Sequence, residues 1–292
     1  MVARVHPAAK DTSMKLTLLA PAKINLCLHV LGKRADGYHD VAMLMQRISL
    51  CDRIELTLTE TPGVRVFCPG VELPPGGENI AARAARRLLE LAGAETGVEI
   101  LIDKQIPVAA GLGGGSSDAA AVLLGLNDLL QLKLDRPTLM AEGARLGADV
   151  PFFIFQQTAW ATGIGDVLEG VSGMPAVWYV LVNPGVPVST AWVYQNLGLT
   201  SGGGGAMLPR FLRTVDGLVR LLHNDLERVT VARYPVVAAL KDALAACGAV
   251  GALMSGSGPT VFGVFAEEAA ARKAADELRR HSDWRVFVVQ PV

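Results

Sequence analysis

The stretch that most limits how this chain folds is PVAAGLGGGSSD, residues 107–118. A strand-like run, VEILIDKQI (98–106), leads into it, and an alanine-rich helical run, SDAAAVLLGLNDLL, leads out. Gly111, Gly113, Gly114 and Gly115 strip the turn of side chains, so another group can approach the backbone closely. Ser116 and Ser117 are expected N-caps of the helix, and Asp118 suits its first turn. Consecutive amides at a helix N-terminus cradle an anion, a phosphate above all. A merely flexible joint would need fewer glycines and no capping pair. A Walker A loop requires G-x-x-x-x-G-K-[ST], and no lysine follows these glycines. A Rossmann fingerprint fits little better. Ser116 stands at its third glycine place, and the chain before residue 98 sets up no parallel βαβ unit. The run SGGGG at 201–205 is equally glycine-rich. It has neither a clear strand before it nor a capped helix directly after, and reads as a mobile surface linker.

Composition narrows the function classes. Of 292 residues, 51% are hydrophobic and 19% charged, so a sizeable core is expected and general disorder is not. Lys plus Arg number 27 and Asp plus Glu 28, which leaves no basic footprint for nucleic acid or a membrane surface. An anionic ligand must therefore be held by local groups. Cys27, Cys51, Cys68 and Cys247 form no C-x-x-C pair, so they read as reduced thiols of a cytoplasmic protein. The first residues, MVARVHPAAKDTS, lack an apolar h-region, and no secretory signal or membrane span is expected. Residues 1–14 read as a loose tail.

Along the chain, KLTLLAPAKINLCLHVL (15–31) alternates as a strand. The alternation puts Ile24, Leu26, Leu28 and Val30 on one face and Lys23, Asn25, Cys27 and His29 on the other. GKRADGYHD reads as a loop, followed by separate strands at 41–50, 53–59 and 64–68. A helix is expected over 79–92 with Gly93 at its C-terminal cap. Pro137 opens another helix that Gly147 could end. Strand and turn follow near 160–166, then a buried strand over 176–184. Helices are expected at 208–222, 235–247 and 267–280. ALMSGSGPTVFGVF reads as strand–loop–strand, and a strand over 284–290 closes the chain. Helices and strands mix without strict βαβ repetition, which argues an α+β fold in two halves meeting near residue 160. No internal repeat is evident.

Two polar positions stand out by residue type. Asp149 follows Gly147 and Ala148 and precedes Pro151, on a stiff turn. It reads equally as a proton acceptor and as the N-cap of a short following helix. Lys23, on the mixed face of its strand, reads either as an ammonium aimed into a cleft or as an ordinary strand lysine reaching solvent. Asn25 beside it could bond a ligand or simply end a strand face.

Three segments together carry a resemblance: PAKINLCLHVLGKRADGYHD (21–40), PVAAGLGGGSSDAA (107–120) and SGSGPTVFGVF (255–265). They resemble the three motifs of the galactokinase, homoserine, mevalonate and phosphomevalonate (GHMP) kinase superfamily. R-A-D-G-Y-H, with G-A-D-V-P-F-F at 147–153, is similar to the branch that acts on 4-diphosphocytidyl-2-C-methyl-D-erythritol in the non-mevalonate isoprenoid route. The similarity runs from about residue 15 to the end of the chain. It implies an N-terminal domain like that of ribosomal protein S5 (15–160), a C-terminal ferredoxin-like α/β sandwich (161–292), and an active site between them. It implies an ATP-dependent kinase that phosphorylates the tertiary 2-hydroxyl of its substrate.

By that resemblance Lys23 and Asp149 are the catalytic pair, with Asp149 as the base. Pro107, Val108, Ala109, Ala110, Gly111, Leu112, Gly113, Gly114, Gly115, Ser116 and Ser117 hold the ATP phosphates, with Lys104 and Asn79 on the same side. Lys104 and Asn79 also read as a surface residue and a cap. Asn25, Tyr38, His39 and Tyr194 belong to the substrate, the aromatics and His39 at its cytidine end. Ser255, Gly256, Ser257 and Gly258 close over the triphosphate or the substrate diphosphate; four small residues before Pro259 exceed what a tight hairpin needs. Mg²⁺ is expected with ATP, keeping several waters, with Ser117 as a candidate ligand. His29 lacks any such context and reads as packed or half-buried. The expected partners are ATP and a cytidine diphosphate small molecule, with no nucleic acid and no membrane, in a monomer or homodimer. Two rival readings are a superfamily kinase acting on mevalonate or homoserine, and a nucleotide-binding module without catalysis. R-A-D-G-Y-H weighs against the first, and the presence of both Lys23 and Asp149 against the second.

Overall fold

The computed structural model describes residues 14–71, 79–198 and 213–292. The expected tail up to residue 13, the glycine run at 201–205 and the expected helix start at 208 lie outside them.

The described chain forms eleven strands and nine helices. They begin with β1 (Lys15–Lys33), β2 (His39–Thr59), β3 (Gly63–Phe67), α1 (Ile80–Ala92), β4 (Gly97–Asp103) and α2 (Gly114–Leu129). Next come α3 (Arg136–Ala144), α4 (Val150–Phe155), β5 (Ala159–Thr162), β6 (Val167–Gly170), β7 (Trp178–Asn183) and α5 (Thr190–Gln195). The chain closes with α6 (Val215–Leu221), β8 (His223–Asn224), α7 (Glu227–Arg233), α8 (Val236–Ala246), β9 (Gly251–Met254), β10 (Val261–Phe265), α9 (Glu268–Leu278) and β11 (Arg285–Val289). The first sheet runs β3-β4-β2-β1-β8, with β5 on β2 and β6 on β5. The second is antiparallel, β11-β7-β10-β9. Hydrogen bonding in the first sheet thus continues past residue 160, to Gly170.

Helix ends follow their sequence signals. Asn79 caps α1, its side chain accepting from the Ala81 amide, and Gly93 closes it at φ 57°. Asp135 caps α3 by accepting from the Thr138 amide. Helix α2 is buried on nearly every side, which explains its small residues: a Cβ at Gly125 would lie 2.5 Å from Leu18 of β1.

Several expectations are corrected. The strands expected at 41–50 and 53–59 are one, β2, which stays paired with β1 through irregularities that absorb the polar break. Short helices α5 and α7 and the two-residue strand β8 were not anticipated; six or seven residues hardly show a period. The regular alternation of β1 also fails. Its register against β2 slips between Asn25 and Cys27, so Leu26 is an extra residue. Ile24 and Leu26 therefore face one core, and Leu28 and Val30 another. A one-residue slip reverses the faces, since strand side chains have period two. Leu28 consequently stands on the side of Lys23 and Asn25.

The core that holds Ile24 and Leu26 lies between the two sheets. Ala22, Leu44 and Ile48 meet Tyr179, Leu181, Phe262 and Val264 there. Ile106, Ala110 and Leu112, flanking the glycines, insert into the same layer. Tyr179 donates its hydroxyl to Gln46 Oε1 at 2.6 Å, satisfying two buried polar groups across the joint.

Candidate active site

A cleft of about 910 Å³ lies where β1, the glycine loop, α2, α5 and the β9–β10 loop converge. Lys23 reaches it from β1, whose backbone is tied to the loop by Lys23 N–H donating to Leu112 O at 2.9 Å. The Lys23 ammonium is buried. It donates to Asn25 Oδ1 at 2.5 Å and stands 3.6 Å from Asp149 Oδ2. Asp149 occupies the N-cap position of α4 with helical backbone angles, and its side chain accepts no capping bond. It lines the cleft beside Lys23.

The glycine loop is corrected in detail. Helix α2 starts at Gly114 with Gly113 at its cap in the left-handed region (φ 70°), so Ser116 and Ser117 are inside the first turn rather than caps. Ser117 is buried with its Oγ unpartnered. Ser117 N–H makes the first helical bond, to Gly113 O at 2.9 Å, so the amides of Gly114, Gly115 and Ser116 have no helix carbonyl to bond and are available to an anion. Gly111, at φ 75°, is bare because the second half of the chain abuts it: a Cβ would lie 2.1 Å from Ser255 O. At Gly115 an added Cβ would meet only Ile80 at 3.6 Å. The glycines thus serve two purposes, contact between halves and openness over the helix end.

Lys104 is neither free nor at the surface. Its ammonium bridges Asp52 (2.5 Å) and Asp118 (2.8 Å) beneath the loop. Asp52 also accepts the amides of Gln105 and Ile106. Burial, opposed by Lys104 and reinforced by Asp52, pushes the Asp118 carboxyl up to about 7. Burial also works against the Lys104 charge, but the two carboxylates outweigh it and raise its pKa. A folded pKa above the ordinary 3.8 means Asp118 contributes stability fully at low pH and loses it as pH rises through about 7. The stability of the unliganded wild type relative to Asp118→Asn should therefore fall between pH 4 and 8, by at most on the order of 4 kcal/mol. Urea unfolding of both across that range reads it; a difference that stays flat or grows with pH refutes it.

Of the other predicted residues, Asn79, Asn25, Tyr38, His39, Tyr194, Gly256, Ser257 and 107–116 line the cleft. Ser117, Ser255 and Gly258 do not line it. Tyr38 is exposed, and His39 stacks on Tyr194 with ring centroids 4.9 Å apart. Burial and then Lys33 lower the His39 pKa, favouring neutral imidazole. Burial, then Asp149, raise that of the Tyr194 hydroxyl. The loop from Ser255 to Thr260 is a hairpin, its ends joined by Ser255 N–H to Thr260 O, and it also forms a wall of the cleft. Ser255 Oγ donates to Gly111 O at 2.9 Å and lies 3.3 Å from the Asn25 amide, linking all three segments. Sequence reading missed Asp52, Thr190 and Asn224. Thr190 Oγ1 pairs with Ser257 Oγ at 2.8 Å, and Asn224 Nδ2 donates to the carbonyls of Met254 and Gly256. Nothing local marks them, because their partners are far off in sequence.

An amide-rich helix end, a Lys–Asp pair and a two-half cleft define a kinase-type site. The chain belongs to the GHMP kinase family: residues 79–157 match the model of the GHMP kinases N terminal domain, and 210–283 that of the GHMP kinases C terminal. It is 62% identical over 276 residues to the 4-diphosphocytidyl-2-C-methyl-D-erythritol kinase of Syntrophotalea carbinolica, covering 94% of this chain and 99% of that one. Among solved structures it is similar to a 4-(cytidine 5'-diphospho)-2C-methyl-D-erythritol kinase, with TM-score 0.80 and 38% identity over 94% of this chain and 99% of that one. A homoserine kinase from Cytophaga hutchinsonii shares the fold, with TM-score 0.70, 20% identity and coverage of 99% and 98%.

Proposed function

We propose that this chain transfers the γ-phosphoryl group of ATP to the 2-hydroxyl of 4-diphosphocytidyl-2-C-methyl-D-erythritol. The observation that carries the reading is the juxtaposition of Lys23, Asp149 and the open α2 N-terminus in one cleft with the His39–Tyr194 stack. Phosphoryl transfer needs an aligned nucleophile, a proton acceptor and neutralisation of charge on the phosphoryl oxygens. Asp149 accepts the hydroxyl proton. Lys23, 3.6 Å from that carboxylate, balances its charge, and Asn25 in turn orients the ammonium. First-turn amides of α2 hold the phosphates, which draw further stabilisation from the helix dipole. Asn79 and Lys104 lie on the nucleotide side, the second as part of its carboxylate bridge. The cytosine lies against Tyr38, His39 and Tyr194, where neutral His39 hydrogen-bonds the base. Ser257 and Gly256 wall off the diphosphate.

The residues present also fit Mg²⁺. Ser117 Oγ and Asp118 Oδ1 are buried without a partner at the head of α2, and hard cations take oxygen ligands. When bound there, the ion would neutralise phosphate charge. None of the described helices is long and apolar enough to cross a membrane, and the four cysteines are free thiols.

The deciding experiment measures ATP consumption with the cytidine substrate beside mevalonate and homoserine. Turnover with either alternative, and none with the cytidine compound, would replace this reading. His39→Ala should raise KM for the cytidine substrate about tenfold, matching roughly 1.4 kcal/mol of lost stacking and hydrogen bonding. KM for ATP should stay within about twofold, a negligible energy on the same scale. A rise on the ATP side instead would mean that the aromatic slot serves the nucleotide.

A further inference from the structure

Away from the cleft, β1 and β8 run parallel for two residue pairs, Cys27 with His223 and Leu28 with Asn224. This pairing brings His29, His223 and Asp225 together at the surface. His223 Nε2 is 2.7 Å from Asp225 Oδ1, and His29 Nδ1 is 4.0 Å from Asp225 Oδ2. The two imidazoles stack with centroids 4.4 Å apart. One ligand atom from each of the three residues falls within 4.8 Å of the others. None of the three takes part in the reaction described above, and none lines the cleft.

The geometry points to a binding site for a divalent transition-metal ion, of the Zn²⁺ or Co²⁺ class, held by His29, His223 and Asp225 with the remaining positions open to water. Two imidazoles and a carboxylate suit these ions rather than Mg²⁺ or Ca²⁺, which prefer oxygen alone. The carboxylate is already oriented: Asp225 Oδ2 accepts the Val30 amide at 2.7 Å, the kind of outer support that metal ligands receive. His223 is half exposed, so its outer face is open to solvent and to an incoming ion. Cys27 is excluded as a ligand. Its side chain is buried in the core between the sheets, away from the solvent that the three ligands share.

The position has a consequence for the fold. Asn224, between two of the ligands, holds the Met254 and Gly256 carbonyls, and the Asp225 amide donates to Leu28 O. An ion there ties β1 to the segment that anchors the β9–β10 loop, so it should resist thermal separation of the two.

The test titrates the full-length protein with Co²⁺, in excess Mg²⁺ to occupy hard oxygen sites. The visible absorption of a low-coordinate Co²⁺ centre is the readout. The wild type should take up one ion. His29→Ala, His223→Ala and Asp225→Asn should each bind at least about tenfold more weakly. Asp225→Asn keeps an oxygen for the Val30 amide, and circular dichroism checks that every variant is folded. Zn²⁺ should raise the melting temperature of the wild type and leave both histidine variants unmoved. Absence of the Co²⁺ bands in the wild type, or native-strength binding by folded His29→Ala and His223→Ala, overturns the assignment.

Discussion

Asp149→Asn should reduce kcat by about 10²–10⁴-fold, the usual worth of a positioned proton acceptor, while ATP still binds with near-native affinity. Asparagine keeps the size of the side chain, and its Oδ1 can still face the Lys23 ammonium, 3.6 Å away in the native pair. It cannot take the hydroxyl proton. The glycine loop and the head of α2 are untouched, so the nucleotide site stays built. Single-turnover quench-flow gives the chemical step, and calorimetric titration with ATP gives the affinity. A variant that turns over at the native rate would remove Asp149 from the reaction. One that loses ATP affinity in step with kcat would make it a nucleotide-site residue. Lys23→Met offers a cross-check. Its ammonium is buried and bonded to Asn25, so its loss should lower kcat as well and leave Asp149 without its cation.

Gly111→Ala should be the most damaging change outside the catalytic pair. At φ 75° an L side chain costs about 1–2 kcal/mol by conformation alone. Its Cβ would also fall 2.1 Å from Ser255 O, a backbone atom with no side-chain freedom to yield. The β9–β10 loop must therefore withdraw, carrying Ser255 away from Gly111 O and from the Asn25 amide. Withdrawal opens the wall of the cleft and displaces the strand that holds Lys23. A displacement near 1 Å commonly costs about 10²-fold in rate, so kcat should fall at least that far. The melting temperature should drop with it. Gly115→Ala is the informative companion: its Cβ meets only Ile80 at ordinary contact distance. It should fold normally and change KM for ATP rather than stability. Equal thermal stability and kcat in Gly111→Ala and the wild type would refute the close approach.

The sequence was most legible where a chemical requirement is written in consecutive residues. The strand–glycine–helix order of 98–130, the cap at Asn79, and the turn before Pro151 each depend on neighbours, and the structure follows them. Lys23 and Asp149 were readable by residue type only as open alternatives, and the family resemblance weighted them. Distant pairings had no local signature. Asp52 is one strand residue among many until Lys104 and Asp118 meet it. Asn224 is an ordinary polar residue until it holds two carbonyls of the β9–β10 loop. The cap reading of Ser116 and Ser117 failed because Gly113 adopts the left-handed conformation and starts the helix earlier than side-chain capping would. The face assignment of β1 failed because a bulge adds a residue without altering composition.

That extra residue at Leu26 makes β1 serve two masters. Before it, Ala22, Ile24 and Leu26 fill the layer between sheets; after it, Leu28 and Val30 turn to the other core, and the pocket side gains Leu28 beside Lys23 and Asn25. Removing a single residue here would invert everything downstream as far as the Tyr38 loop, expelling apolar groups into water and polar ones into the interior. Insertions and deletions should therefore be tolerated on either flank of β1 and excluded between Asn25 and Leu28, a length constraint that no single substitution in this strand would reveal.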